Sequence, residues 1–269
     1  MSQFVEISRD TNQALGIARY AISFIHGDGR GQSGQPSQTV LDRADLFWTD
    51  SVLCGLSALA LGTNAPSLLR REALSYPLTE QAHCAPHTHQ AGATVFGSGV
   101  LVHPEKAIVA NASAVREWDS NGTNFGYDPE RGRTAGEFGH NDFYPVCLAA
   151  AQMRGLDGAA ALRAMVCLDE IRGRLAEAFS LKSYKIDHVV HGAIASAAIY
   201  GAMMGATAEQ IESAIGMAVA HYIPWRAIRA GKQLSDSKGS SAAISTEAAV
   251  LSVKRSMQGF MGPRDIFRN

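Results

Sequence analysis

Residues 188–204, HVVHGAIASAAIYGAMM, are built almost entirely from alanine, glycine, serine and a few apolar side chains. Residues 240–257 are again rich in alanine and serine and end at the stop GFMGP. Side chains this small let helices approach closely, because the interaxial distance is set by the residues at the contact. The rest of the chain carries a helical period. From Thr11, apolar residues recur at Leu15, Ala18, Ala21, Ile22 and Ile25. A second stripe runs through Val40, Leu41, Ala44, Trp48, Val52, Leu56 and Leu59 to about Gly62, and Pro66 suits the first turn of a short helix. Helices are expected over 103–118 with Pro104 leading, over 143–154, and over 158–179 with Leu162, Met165, Val166, Ile171 and Leu175 inward. Thr207 and Gln210 form a capping box, each side chain satisfying a free N–H, that opens a helix to about Tyr222. The expectation is an all-α helical bundle, one domain over 1–269, without internal repeats. Its exception is 74–102, where β-branched residues bracketed by glycines predict one or two short strands or an irregular loop. Residues 27–38 and the long polar stretch 118–142 are expected to be loops.

Composition narrows the function classes. Hydrophobic residues make up 46% of the 269 and the formal net charge is -1, which excludes a disordered chain. It also speaks against a general binder of nucleic acid or anionic membrane, since phosphate binding needs a basic excess. The longest largely apolar stretch, 52–61, is short of the ~20 residues that span a bilayer. The N-terminus MSQFVEISRD has no secretory or Arg-rich presequence character, so a cytoplasmic location is expected, with a mitochondrial matrix as the alternative. Cys54, Cys84, Cys147 and Cys167 lie far apart without a CxxC pair and are expected to be reduced and structural.

Four segments could carry chemistry. HCAPHTH (83–89) holds His83, Cys84, His87 and His89, but Pro86 disrupts a helix there and the spacing matches no zinc signature, so an exposed loop is favoured. The 118–142 stretch offers Asp119, Asn121, Asp128, Glu130, Glu137, His140, Asn141 and Asp142, where a carboxylate and an imidazole can act as acid and base. Against this stands a solvated loop. In SYKIDHVVHG (183–192), Asp187 and His188 stand just before an apolar helix, either poised at its N-terminus or simply capping it. In RAIRAGKQLSDSKGSSAA (226–243), Arg226, Arg229, Lys232 and Lys238 on small-residue backbone suit a polycarboxylate or phosphate, or form a basic surface turn.

In order along the chain these segments resemble the MmgE/PrpD family, which includes 2-methylcitrate dehydratase, cis-aconitate decarboxylase and iminodisuccinate epimerase. ATVFGSGVLVHPEKAIVANASAVREWDSNGT, FGHNDFYPVCLAAAQ and YKIDHVVHGAIASAAIYGAMMGATAEQIESAIGMAVAH carry the resemblance. The Asp-His pair and SDSKGSSAAISTEAAVLS are more similar to the methylcitrate dehydratase branch. The resemblance places the family's active-site Asp on Asp119, a following His on His140 across a longer insert (124–137), and the Asp-His pair on Asp187 and His188. The family Lys falls on Lys238, with Lys232 the other register.

What the resemblance implies is dehydration of 2-methylcitrate in propionate breakdown, by metal-free acid/base chemistry without a cofactor. His188 and His140 would transfer protons. Asp119 would orient a His or bind the hydroxyl, and Lys238 with Arg226, Arg229 or Lys232 would hold carboxylates, beside Asp187 and Asn121. The partner implied is a small tricarboxylate, with no nucleic acid or membrane, in a homodimer. Alternatives are another polycarboxylate reaction of the family, or a non-catalytic oligomerisation module. Family members continue past GFMGP into an α+β lid, so the chain is expected to be the N-terminal helical part without its lid, and inactive alone.

Overall fold

The computed structural model describes residues 10–27, 34–78, 89, 91–120, 122–125, 130, 137–139, 141–178, 181–228 and 235–268. His83, Cys84, His87, Asn121, Asp128, His140, Arg229 and Lys232 lie outside them. Among the described residues the helices are α1 (Gln13–His26), α2 (Gln38–Ala60), α3 (Asn64–Leu74), α4 (Pro104–Arg116), α5 (Pro145–Met153), α6 (Gly158–Ala178), α7 (Val189–Met204), α8 (Ala208–His221) and α9 (Asp236–Met257). Two small antiparallel sheets accompany them: β1 (Ala93–Thr94) with β2 (Leu101–Val102), and β3 (Thr123–Phe125) with β4 (Glu137–Gly139). The all-α expectation holds, with short strands inside the 74–102 stretch.

The caps are where local chemistry placed them. The Asn12 side chain accepts the Leu15 N–H at 3.0 Å. The Thr207 hydroxyl accepts the Gln210 N–H at 3.2 Å while Gln210 accepts the Thr207 N–H at 2.9 Å, so two orphan donors are satisfied reciprocally. At the centre lies α7, buried on every face from Val189 to Met203 and packed against α6, α8 and α9. Its glycines allow this. A Cβ on Gly201 would stand 2.6 Å from Ile211 Cγ1, and one on Gly192 only 2.0 Å from Phe143 Cζ.

The layer that carries the candidate site is α4 against α9. Lys106 on α4 bonds Glu72 of α3 and Glu247 of α9, both at 2.7 Å, and Lys254 of α9 returns to Glu105 at 2.8 Å. Burial works against the charge on Lys106, but the two carboxylates outweigh it and raise its pKa. The closing segment locks onto α8: the Gly262 N–H donates to Ser213 Oγ at 2.6 Å and the Asp265 N–H to Glu212 Oε1 at 2.9 Å. Glu212 also takes the Asn12 amide at 2.7 Å, so both ends of the described chain meet on one buried carboxylate.

Two expectations are corrected. The 118–142 stretch is not loop throughout, because β3 and β4 pair within it, Asn124 opposite Phe138. Its strands are three residues long and mostly polar, so they show no period-2 apolar signal; Phe125 packs on Gly173 of α6. The last long helix starts at Asp236 rather than Ser240. Asp236 puts a carboxylate in the first turn, where the helix dipole favours it, and accepts the Asn64 amide at 2.7 Å. Lys238 therefore stands on a helix, not in a turn.

Candidate functional site

The end of α4 sets the first part of the site. Arg116 is the last helical residue, and its side chain is only 4% exposed. Three residues on, the Asp119 N–H donates to the Arg116 carbonyl at 2.9 Å and the backbone turns left-handed, with φ +54°. That conformation is costly for a residue with a side chain and persists only where its surroundings over-determine it. Here they do. Arg116 Nη1 bonds Asp119 Oδ1, and Lys238 Nζ donates to Asp119 Oδ2 at 3.4 Å. The other edge of the guanidinium faces Asp142, with Nε 3.3 Å from Oδ2. Asp142 is buried, in the 3-10 turn Asn141–Phe143.

Lys238 reaches Asp119 because α9 crosses the end of α4. The contact is fixed one turn inside the helix by Ser240, whose hydroxyl lies 3.2 Å from that of Ser113. Asp119 is 43% and Lys238 33% exposed, so the pair forms the open side of the cluster and Arg116 its buried floor.

The second part is the start of α7. The Asp187 N–H donates to the Pro224 carbonyl at 2.9 Å, and its carboxylate accepts the Val189 N–H at 3.2 Å. Asp187 thus satisfies the first N–H of α7 from the position before its N-cap, His188. Its Oδ1 also lies 3.4 Å from Nδ1 of buried His188, close enough to form an ion pair when the imidazole is protonated. The Arg226 N–H donates to the Lys185 carbonyl at 2.8 Å and Ile186 pairs with Trp225, so the segment carrying half-buried Arg226 docks beside this helix start.

The 141–143 turn stands between the two parts. Asp142 joins Arg116, and Phe143 packs on Gly192, one turn into α7. Arg172 of α6 lies 4.3 Å over the Phe143 ring and 3.1 Å from Asp169, which accepts the Tyr144 hydroxyl at 2.5 Å. Burial raises the Asp169 carboxyl above its ordinary value against the pull of Arg172, and burial with Asp169 raises the Tyr144 phenol. Beside them a cavity of about 500 Å³ opens between α2 and α6, lined by Phe47, Phe125, Tyr144, Asp169 and Arg174.

His191 gives a measurable consequence. Burial first, and then the Arg172 guanidinium, lower its pKa from 6.5 to about 4. The unfolded chain takes up this proton near pH 6.5 and the folded chain only near 4. Stability from this group is therefore complete above about pH 6.5 and is lost as the pH falls toward 4, amounting to about 3 kcal/mol at the acid end. His191→Gln is expected to flatten the acid limb of the urea midpoint measured against pH. An unchanged slope between pH 6.5 and 4 would show that His191 is not the group responsible.

Of the residues expected from the sequence, the structure brings Asp119 together with Lys238, and Asp187 with His188. Arg226 stands by the second pair. His140, Arg229, Lys232 and Asn121 lie outside the described residues. Sequence reasoning passed over Arg116, Arg172, Tyr144 and Asp169. The signal for Arg116 was there: one arginine ends the apolar run AIVANASAV. Cys147 and Cys167 are buried thiols whose pKa burial raises, and Cys54 is half-buried.

A family model, MmgE/PrpD N-terminal domain, matches residues 31–269. The chain belongs to the MmgE/PrpD family. The match begins ahead of α2 and runs past the end of α9, so every residue of both clusters lies inside the MmgE/PrpD domain. Dehydratases are among the activities of this family.

Proposed function

We propose that this MmgE/PrpD protein acts as a hydro-lyase that eliminates water from 2-methylcitrate, through acid/base groups of the chain. The observation that carries the reading is the Lys238–Asp119 pair at 3.4 Å, held on the open side of the α4–α9 crossing. A polycarboxylate needs a cation to hold it and a carboxylate to take its hydroxyl, and this pair presents both to solvent.

The elimination breaks a C–H bond next to a carboxylate and a C–O bond on the neighbouring carbon. The base takes the proton, the C–H electron pair becomes the new double bond, and the hydroxyl leaves as water with a proton from the acid. Negative charge builds on the adjacent carboxylate meanwhile, so a fixed cation there lowers the barrier. In this reading His188 and His140 move the protons, and Asp187 orients His188. Asp119 binds the substrate hydroxyl by accepting its hydrogen bond, aided by Asn121. Lys238 holds the substrate carboxylate, with Arg226, Arg229 and Lys232 as further cations. The proposed assembly is a cytoplasmic homodimer.

The test is product analysis with the intact protein, supplied in turn with 2-methylcitrate, citrate, cis-aconitate and iminodisuccinate. Methylcitrate is expected to lose water and yield a conjugated double bond, with chelator leaving the rate unchanged. Carbon dioxide from cis-aconitate, or epimerised iminodisuccinate, with methylcitrate untouched would overturn the reading.

A further inference from the structure

We propose that Arg116 is the positioning residue of this site: its guanidinium clamps the Asp119 carboxylate in its left-handed turn and staples together the two ends of segment 119–142. The proposal rests on the reading of Asp119 as a site residue and adds what holds it there.

Three observations converge. Arg116 is almost wholly buried, where a guanidinium persists only with carboxylate partners, and it has two that are 23 positions apart, Asp119 and Asp142. Its planar fork meets them from two different edges, Nη1 on Asp119 and Nε toward Asp142, a fixed geometry that a point charge does not impose. Asp119 is the one residue between α4 and β3 with a side chain and a positive φ among those described, so a contact that fixes its carboxylate also fixes an uncommon turn. Lys238 faces Asp119 from α9. Arg116 takes Oδ1 from below and leaves Oδ2 toward Lys238 and solvent. The carboxylate is thereby held on one oxygen by Arg116 and met on the other by Lys238, on the side that opens to solvent.

The first measurement needs no substrate. With carboxyl-labelled aspartate, the Asp119 carbon signal is identified by its loss in Asp119→Asn. In Arg116→Gln its titration midpoint is expected to move up in pH, because one of the two cations favouring the anion is gone. Arg116→Lys should move it less. Arg116→Gln leaves buried Asp142 without its cation, and such a chain can fail to fold. The Arg116→Gln/Asp142→Asn double variant removes that charge and repeats the titration. An unmoved midpoint in the variant that folds overturns the proposal.

The second measurement is kinetic. Arg116→Gln is expected to lower kcat about tenfold while moving KM less. In the Asp119→Asn background the same change should cost nothing more, because Arg116 acts through Asp119. Multiplied losses would show that Arg116 has another role and overturn the proposal. If Asp119→Asn alone leaves turnover intact, the reading of the site fails instead, and the titration still decides whether Arg116 holds the carboxylate.

Discussion

Lys238→Ala is expected to lower kcat/KM for methylcitrate by at least about tenfold while leaving stability nearly untouched. A charge-assisted hydrogen bond from a lysine to a substrate carboxylate is worth roughly 1.5–3 kcal/mol, or about ten- to a hundredfold in rate or affinity. The chain's net charge of -1 supplies no general attraction for a trianion, so the pull has to be local. The stability cost is small for a different reason. Lys238 and Asp119 are both a third or more exposed, and exposed ion pairs contribute ~0–1 kcal/mol to folding. Activity and stability thus separate in one variant. Lys238→Arg should rescue poorly, because a planar fork replaces a compact ammonium. Steady-state kinetics beside a urea curve check this. Lys232→Ala is the control for register: a crippled Lys232 variant beside a silent Lys238 variant would move the family lysine to position 232.

Gly192→Ala is expected to destabilise the protein by about 3 kcal/mol, at the upper end of overpacking costs. A new Cβ would stand 2.0, 2.2 and 2.5 Å from three ring atoms of Phe143. That ring cannot step aside cheaply, for it is 1% exposed and stacked under Arg172. Moving it displaces the 141–143 turn, and with it Asp142 from Arg116. A loss of activity should therefore accompany the lowered urea midpoint, although Gly192 is far in sequence from Asp119. Gly16→Ala is the matched control. Nothing lies within 4 Å of its Cβ position and its φ is ordinary, so alanine there should be neutral or stabilise slightly. Equal stability of the Gly192→Ala protein and wild type would mean that the core yields at Phe143.

Much of the helical frame was legible because its signals are local. The period of Leu15, Ala18, Ala21 and Ile22, the Thr207–Gln210 box and Pro104 each act within a turn or two of the chain, and α1, α8 and α4 form where they point. The start of α9 was misplaced because polar SDSKG looks like a turn; Asp236 helps begin the helix by bonding Asn64, 172 positions away. The β3–β4 pair was missed for the same reason. Three-residue polar strands carry no pattern of their own, and their pairing partner lies beyond a long insert.

The sequence alone settled the fold class and the small-residue packing of α7, since periodicity, caps and residue size are properties of neighbours along the chain; the family resemblance rested on motifs in order. It also named Asp119, His188 and Lys238 as candidates, by motif. Only the tertiary structure decided who stands next to whom. Lys238 meets Asp119 across 119 positions because α9 crosses the end of α4, and Arg116 became a clamp once folding buried it between Asp119 and Asp142. A buried charge draws its meaning from the partners that surround it in space, and those partners are brought together by helix packing.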